Sequence, residues 1–376
     1  MIALHRTRLF VACLVLAASS AAWGQGVTSR TVALGQSAPL SGPLQAQGEE
    51  IRNGALAYFR TLNNGGGVHG RRIELATLDD AGDPKRALTN TQRLVEELRV
   101  FALFAYPAAN VSRELLALVQ RSRVPLFAPL TGAQLARQPD RYVFTVRAGN
   151  ADEIEQVVGY YAQLGLKRFA LVRRDDVEGA EILEYTRAAL RRRGLAAPSV
   201  GALQRDRPSD ALYDALIAEP DAIIVAIPAG PAAGLLRDLK RSAHGAELVV
   251  LSLADPATLA RTLGAAGAGI VFSQVVPPIE RASLPVVAEY RAAMQAEIGR
   301  KQFSPASLES YIAARVFAEA VRRAGPALTR DALLRALEAL SAYDVGGYTV
   351  GFSNANRQGS SRIELVAIGR DGNLLH

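Results

Sequence analysis

Residues 65–70, Gly65-Gly66-Gly67-Val68-His69-Gly70, satisfy the G-x-G-x-x-G spacing with which backbone amides approach a pyrophosphate. That chemistry needs a strand before the glycines and a helix N-terminus after them. Here a helical pattern precedes and a strand pattern follows, so the segment is predicted to be a turn between helix and strand. Gly264 to Gly269 fails in the same way, with no helical pattern after it. Beyond residue 24 the histidines are His69, His244 and His376, with no i, i+4 pair and no thiol to join them, which excludes structural zinc and predicts no metal. Gly351-Phe352-Ser353-Asn354-Ala355 lacks the closing glycine of a nucleophile elbow, no serine stands three residues before a lysine, and no H-E-x-x-H occurs. Asp79-Asp80 and Asp175-Asp176 fall at strand ends, where turn and capping roles prevail. The predicted catalytic set is therefore empty, no cofactor is implied, and the chain is not expected to be an enzyme.

Recognition chemistry is what remains, carried by loops at the carboxyl ends of predicted strands. These are Leu40 to Gln47, Tyr106 to Asn110 and Pro129 to Ala133 in the first half. In the second half they are Asn150, Arg173 to Gly179, Ile227 to Gly230 and Ser252 to Asp255. In an open α/β sheet such loops face the ligand crevice. From Tyr106 to Asn110 the chain passes from strand to helix start, where free N–H groups suit a carboxylate, and the Thr131 hydroxyl offers a second donor. Asn110 and Thr131 are equally residues that cap helices and form turns.

The elements that must position these loops alternate between short apolar or β-branched runs and amphipathic stretches, the pattern of repeated βαβ units. Strands are predicted at Val32 to Ala38, Arg72 to Asp79, Ala102 to Tyr106, Pro125 to Phe127 and Tyr142 to Val146. A second set lies near Arg168 to Arg173, Ala222 to Ile227, Leu248 to Leu251 and Ile270 to Val275. Helices are predicted over Glu49 to Leu62, from Asp83-Pro84 to Arg99, over Val111 to Ser122, and from Glu178, Ser209, Pro231 and Asp255-Pro256. Three more start at Ser283, Ser304 and Thr329, before strands at Tyr348 to Phe352 and Arg362 to Gly369. The fold class is α/β, two doubly wound Rossmann-like lobes. No repeat or Gly/Ser linker divides them, and Tyr142 to Asn150 runs straight from strand into helix, as a hinge does.

Composition agrees. The 376 residues suffice for two lobes, and 49% apolar with 21% charged residues is globular usage. Basic His5, Arg6 and Arg8, the apolar run Leu9 to Ala18 and small residues at Ala22-Trp23-Gly24 read as a secretory signal over residues 1–24, cleaved near Gly24. The run is too short to span a bilayer, so no membrane insertion is expected after cleavage. Cys13 and Trp23 leave with the signal, and the exported chain has no disulfide. Basic residues outnumber acidic ones 41 to 36 once Arg6 and Arg8 are removed, but their pairs are scattered, so no nucleic acid partner is expected.

Several stretches resemble the periplasmic solute-binding proteins of branched-chain amino acid (leucine/isoleucine/valine-type) ABC transporters. They are Ala38 to Pro43, Asn63 to Gly70, Asp79 to Lys85, Ala128 to Ala133, Arg141 to Phe144, Gln274 to Pro277 and Ser307 to Arg315. The resemblance implies the type I periplasmic binding fold, with three hinge crossings joining lobe one (30–146 plus 277–351) to lobe two (147–276 plus 352–376). It further implies a monomer in the periplasm that binds a small-molecule solute and hands it to an ABC permease. The alternative is a sensor presenting its closed form to a membrane kinase or chemoreceptor. Carried over by position, the ligand-binding residues are Gln47, Tyr106, Ala108, Asn110, Leu130, Thr131, Asn150, Glu178, Pro228 and Asp255. Departures from the family pattern are informative. Ala108-Ala109-Asn110 stands where a serine is usual, Leu253 stands in the register of the carboxylate that holds a ligand ammonium, and Asp255 is the nearest substitute. Gln47, Asn150, Glu178 and Pro228 replace pocket aromatics, which points to a small polar or carboxylate solute, an amino acid or related organic acid.

Overall fold

The computed structural model describes residues 26–204, 207–208, 219–242 and 245–375. The signal expected over residues 1–24 and the start of the helix expected from Ser209 lie outside the described residues.

Five parallel strands make the first sheet: β1 (Thr31–Ala38), β2 (Arg72–Asp79), β3 (Ala102–Phe104), β4 (Leu126–Phe127) and β5 (Val143–Phe144), in the order β2-β1-β3-β4-β5. Helices α1 (Gln45–Asn64), α2 (Pro84–Glu96) and α3 (Arg113–Ser122) make the crossovers. Asp83 caps α2 as its sequence predicts, accepting from the Lys85 amide at 2.8 Å with Pro84 in the first turn, where a missing N–H costs nothing. The helix stops at Glu96, short of the expected Arg99, because Arg99 takes left-handed backbone (φ 48°) to turn into β3. β3 likewise ends at Phe104 and not Tyr106. The next helix starts at Arg113, where Ser112 accepts from the Leu115 amide at 3.2 Å, and only one 3-10 turn (Ala108–Asn110) precedes it.

The second sheet contains β6 (Phe169–Arg174), β7 (Ser199–Gln204), β8 (Arg207–Pro208), β9 (Ala222–Ala226), β10 (Glu247–Val250) and β11 (Val271–Gln274), with α4 (Asn150–Gln163), α5 (Val177–Arg192), α6 (Ala229–Ser242) and α7 (Pro256–Leu263). Its parallel part runs β7-β6-β9-β10-β11, the same winding as the first sheet. β7 escaped the sequence pattern because Gly201 and Ala202 dilute its apolar run.

After β11 the chain returns to the first sheet's side with α8 (Pro285–Ala293), α9 (Pro305–Ala324), α10 (Arg330–Glu338) and the ribbon β12 (Tyr343–Asp344) and β13 (Thr349–Val350). α9 lies against α1 so closely that a Cβ on Gly54 would sit 2.0 Å from the Ser307 carbonyl oxygen, which only glycine avoids. Phe59, Phe104, Phe127, Phe317 and Phe352 interlock in this core with neighbouring ring centroids 5.4 to 6.4 Å apart. The chain then ends in β14 (Glu364–Ile368) and β15 (Leu374–Leu375), antiparallel strands on the edge of the second sheet. No described helix is long and apolar enough to cross a membrane.

Three segments therefore pass between the sheets, near residues 145–150, 275–279 and 351–363. They lie side by side. The Thr145 amide donates to the Arg357 carbonyl at 3.0 Å, Gly359 donates back to Thr145 at 2.7 Å, and the buried Tyr348 hydroxyl reaches the carbonyls of both Val146 and Val275 at 3.0 Å.

Candidate functional site

A doubly wound sheet opens a crevice beyond the carboxyl ends of its strands where the winding reverses. That point lies between β1 and β3 in the first sheet and between β6 and β9 in the second. The loop after β1 is braced by the acidic pair read as turn formers. Asp79 accepts from Ser41 Oγ (2.6 Å) and from the amides of Leu40 (2.8 Å) and Ala81 (2.9 Å), and the Ser41 bond foremost holds its carboxyl below the usual range. Buried Asp80 accepts from Ser37 Oγ and Asn110 Nδ2, both at 2.7 Å, and from the Gly82 amide at 2.8 Å. Asp176 caps α5 through the Gly179 amide at 2.8 Å.

These contacts decide where several expected ligand residues point. Asn110 is buried and spends its amide on Asp80 and the Ser37 carbonyl, so it braces the loop. Tyr106 turns away from the strand ends into the helix layer, its hydroxyl 3.0 Å from Thr91 Oγ1, and burial pushes its phenol up. In the loop expected to offer free amides, those of Asn110 and Val111 are taken up in closing the 3-10 turn on the carbonyls of Pro107 and Ala108. Ala108 itself is exposed, as is Gln47 in the first turn of α1. Pro228 is half-buried where β9 enters α6. Asp255 serves as the cap of α7, its carboxylate accepting from the amides of Ala257 (3.2 Å) and Thr258 (3.0 Å) and from the Thr258 hydroxyl.

Four expected residues meet across the two sheets. Leu130 donates its amide to the Tyr106 carbonyl at 2.8 Å and leads into Thr131, whose hydroxyl accepts from the Ala133 amide at 3.1 Å and keeps its own proton to donate. Gly132 accepts from the Asn150 amide at 2.8 Å, and a Cβ on Gly132 would fall 1.8 Å from Asn150 Oδ1. Asn150 Nδ2 then donates to Glu178 Oε1 at 2.9 Å. Beside this chain the Gln134 amide donates to Glu181 (3.0 Å) and the Tyr185 hydroxyl donates to Gln134 Oε1 (3.2 Å). Burial raises the Glu181 carboxyl, and raises the Tyr185 phenol to about 12.

A set of buried charges at the crossings was not anticipated. Arg147 Nη2 donates to Ser252 Oγ at 2.6 Å and lies 3.9 Å from Glu153, while its Nη1 lies 3.7 Å from Glu309 on α9. Glu153 accepts from the Ser252 amide (2.8 Å), Ser252 Oγ (2.9 Å) and Ser273 Oγ (2.5 Å). Arg137 donates to the carbonyls of Thr131 (2.7 Å) and Arg147 (2.9 Å), and burial, with the charge of Arg147 next, brings it down to about 10. Burial pushes the Glu309 carboxyl up. The available signal was charge inside apolar context, Val146-Arg147-Ala148 and Leu308-Glu309-Ser310.

The periplasmic binding protein family model matches residues 31–373, nearly the whole described chain. The chain belongs to the periplasmic binding protein family. Its fold is the type I form, shared with a substrate-binding periplasmic protein from Ralstonia solanacearum (32% identity, TM-score 0.83, covering 92% of this chain and 99% of that one). A possible leucine/isoleucine/valine-binding protein from Rhodopirellula baltica is similar at 28% identity and a TM-score of 0.82, covering 93% and 97%. The Leu/Ile/Val-binding protein homolog 3 of Brucella melitensis is 24% identical over 172 residues, 44% of this chain and 45% of the relative, so the curated match spans under half of that relative's length. Proteins of this family bind solutes and do not transform them, so this binding protein is not an enzyme.

Proposed function

We propose that this binding protein captures a small carboxylate-bearing solute, an amino acid or related organic acid, between two closing lobes in the periplasm and delivers it to an ABC importer. The lobes are residues 30–146 with 277–351, and 147–276 with 352–376. The observation that carries the reading is the hydrogen-bonded chain from Thr131 and Gly132 through Asn150 to Glu178, which links crevice loops of both sheets. A solute touching both sides stabilises the shut form, because a ligand shifts an equilibrium by its differential contacts with the two states. In this reading the Thr131 hydroxyl, which accepts from the Ala133 amide, donates to the solute carboxylate. On the second sheet, Asp255 is committed to its helix and Glu178 has one oxygen engaged by Asn150. An organic acid brings no ammonium to be neutralised, while an amino acid relies on the second oxygen of Glu178 for its ammonium.

A thermal-shift panel of leucine, dicarboxylates and aromatic acids tests the proposal. A solute at a hundred times its Kd adds about 2.7 kcal/mol to stability and raises the melting temperature. A panel in which no acid or amino acid moves the transition removes the assignment.

A further inference from the structure

The charged cluster at the crossings holds a carboxylate whose partners are incomplete. Glu153 is saturated by Ser252 and Ser273. Glu309 is only 4% exposed, receives no hydrogen bond within reach, and its Oε1 has no partner among the described residues. Its nearest cation is Arg147 Nη1 at 3.7 Å, an ionic contact beyond hydrogen-bond length. Arg147 is 8% exposed and fixed on its other side by Ser252 Oγ and by the Ala148 carbonyl, which Nε meets at 3.2 Å. Glu309 rides on α9, packed on α1 beside the first sheet; Ser252 follows β10 of the second. The guanidinium thus spans elements of both sheets where the three segments cross.

We propose that Arg147 and Glu309 are the positioning contact that sets the resting separation of the two lobes before solute arrives. A buried carboxylate that receives no hydrogen bond is unfavourable, whereas a charge-assisted guanidinium–carboxylate hydrogen bond is among the stronger polar contacts in proteins. Relative movement of about 1 Å along the Nη1–Oε2 line turns the present contact into a direct hydrogen bond. The same movement displaces α9 against the 145–150 crossing. The other charged or titratable groups facing Glu309 are Arg137, Glu153 and the Tyr348 hydroxyl, and none of them donates to it. Of these cations Arg147 is the one within ion-pair distance of Glu309, and closing that gap moves one lobe relative to the other.

The inference rests on the two-lobe reading, but its test needs no solute. Leu44 after β1 and Val177 at the start of α5 are exposed at strand ends of the two sheets (41% and 85%). Cysteines at both positions, in a chain with Cys13→Ala, accept spin labels for pulsed distance measurement. Glu309→Gln keeps the shape and removes the charge. It is expected to change the ratio of the distance populations in ligand-free protein by roughly tenfold, about 1.4 kcal/mol. Arg147→Lys, which keeps the charge but not the fork of donors that reaches Ser252, Ala148 and Glu309 together, should displace them in the same direction, and the double variant should add little to either. Circular dichroism and melting establish that each variant folds; if one does not, the other reads the same contact. Distance distributions identical to wild type in folded Glu309→Gln and Arg147→Lys overturn the proposal. A wild-type distance that leucine, succinate and benzoate all fail to shorten counts against the solute reading alone, since the ligand-free comparison stands without it.

Discussion

The Tyr348 hydroxyl donates to the Val275 carbonyl at 3.0 Å, and the Val146 carbonyl lies equally near. One fully buried phenol thus ties two of the three crossing segments while standing at the root of the third. Buried carbonyls need donors, and here no strand ladder supplies them.

Tyr348→Phe removes that donor without opening a cavity. The expected cost is about 1 to 3 kcal/mol, the penalty for leaving a buried polar group unsatisfied. Chemical denaturation should show a lower midpoint at unchanged slope; an unchanged midpoint would mean that water or a rearranged neighbour replaces the hydroxyl.

Thr131→Ala should weaken binding of the panel solute by about 1 to 3 kcal/mol in calorimetry. Thr131→Ser, which keeps the donor and the bond to the Ala133 amide, should restore most of it. Affinity equal to wild type in the alanine variant removes Thr131 from the site.

Asp255 separates two roles. As the cap of α7, its replacement by alanine should lower stability by about 0.5 to 2 kcal/mol and leave solute affinity unchanged. An affinity loss in a variant whose melting is unaltered would restore Asp255 as the counter-charge for a ligand ammonium.

Glu181 gives a dependence on pH. Burial raises its folded-state pKa above the ordinary 4.5, so between those values the folded chain holds a proton that the unfolded chain has lost. Its contribution to stability is present below pH 4.5 and fades as pH rises through the raised value. Glu181→Gln cannot titrate, so the difference in denaturation midpoint between variant and wild type should grow from about pH 4 to about pH 7 in favour of the variant. A constant difference across that range would show that Glu181 does not titrate differently on folding.

The winding of both sheets was legible because period and capping agreed, as at Asp83-Pro84, where one carboxylate and one proline mark a helix start unaided. The site was less legible. Tyr106 and Thr131 both lie in strand-end loops by sequence, but which way a side chain turns depends on packing: Tyr106 finds Thr91 inside the helix layer, and only the fold reveals it. Asp255 could be read as cap or ligand, and the structure shows the cap because two amides and a hydroxyl of its own helix take its carboxylate. Arg147 and Glu309 lie 162 positions apart, and no local pattern announces a contact at that separation.

The late return of β14 to pair with β11, together with the packing of α9 on α1, has a consequence for biogenesis. Neither half can bury its interior until the final stretch of polypeptide has arrived, so the emerging chain has no finished globule to present. An incomplete chain of this design stays slack, with apolar surface open to solvent, until its last elements are made.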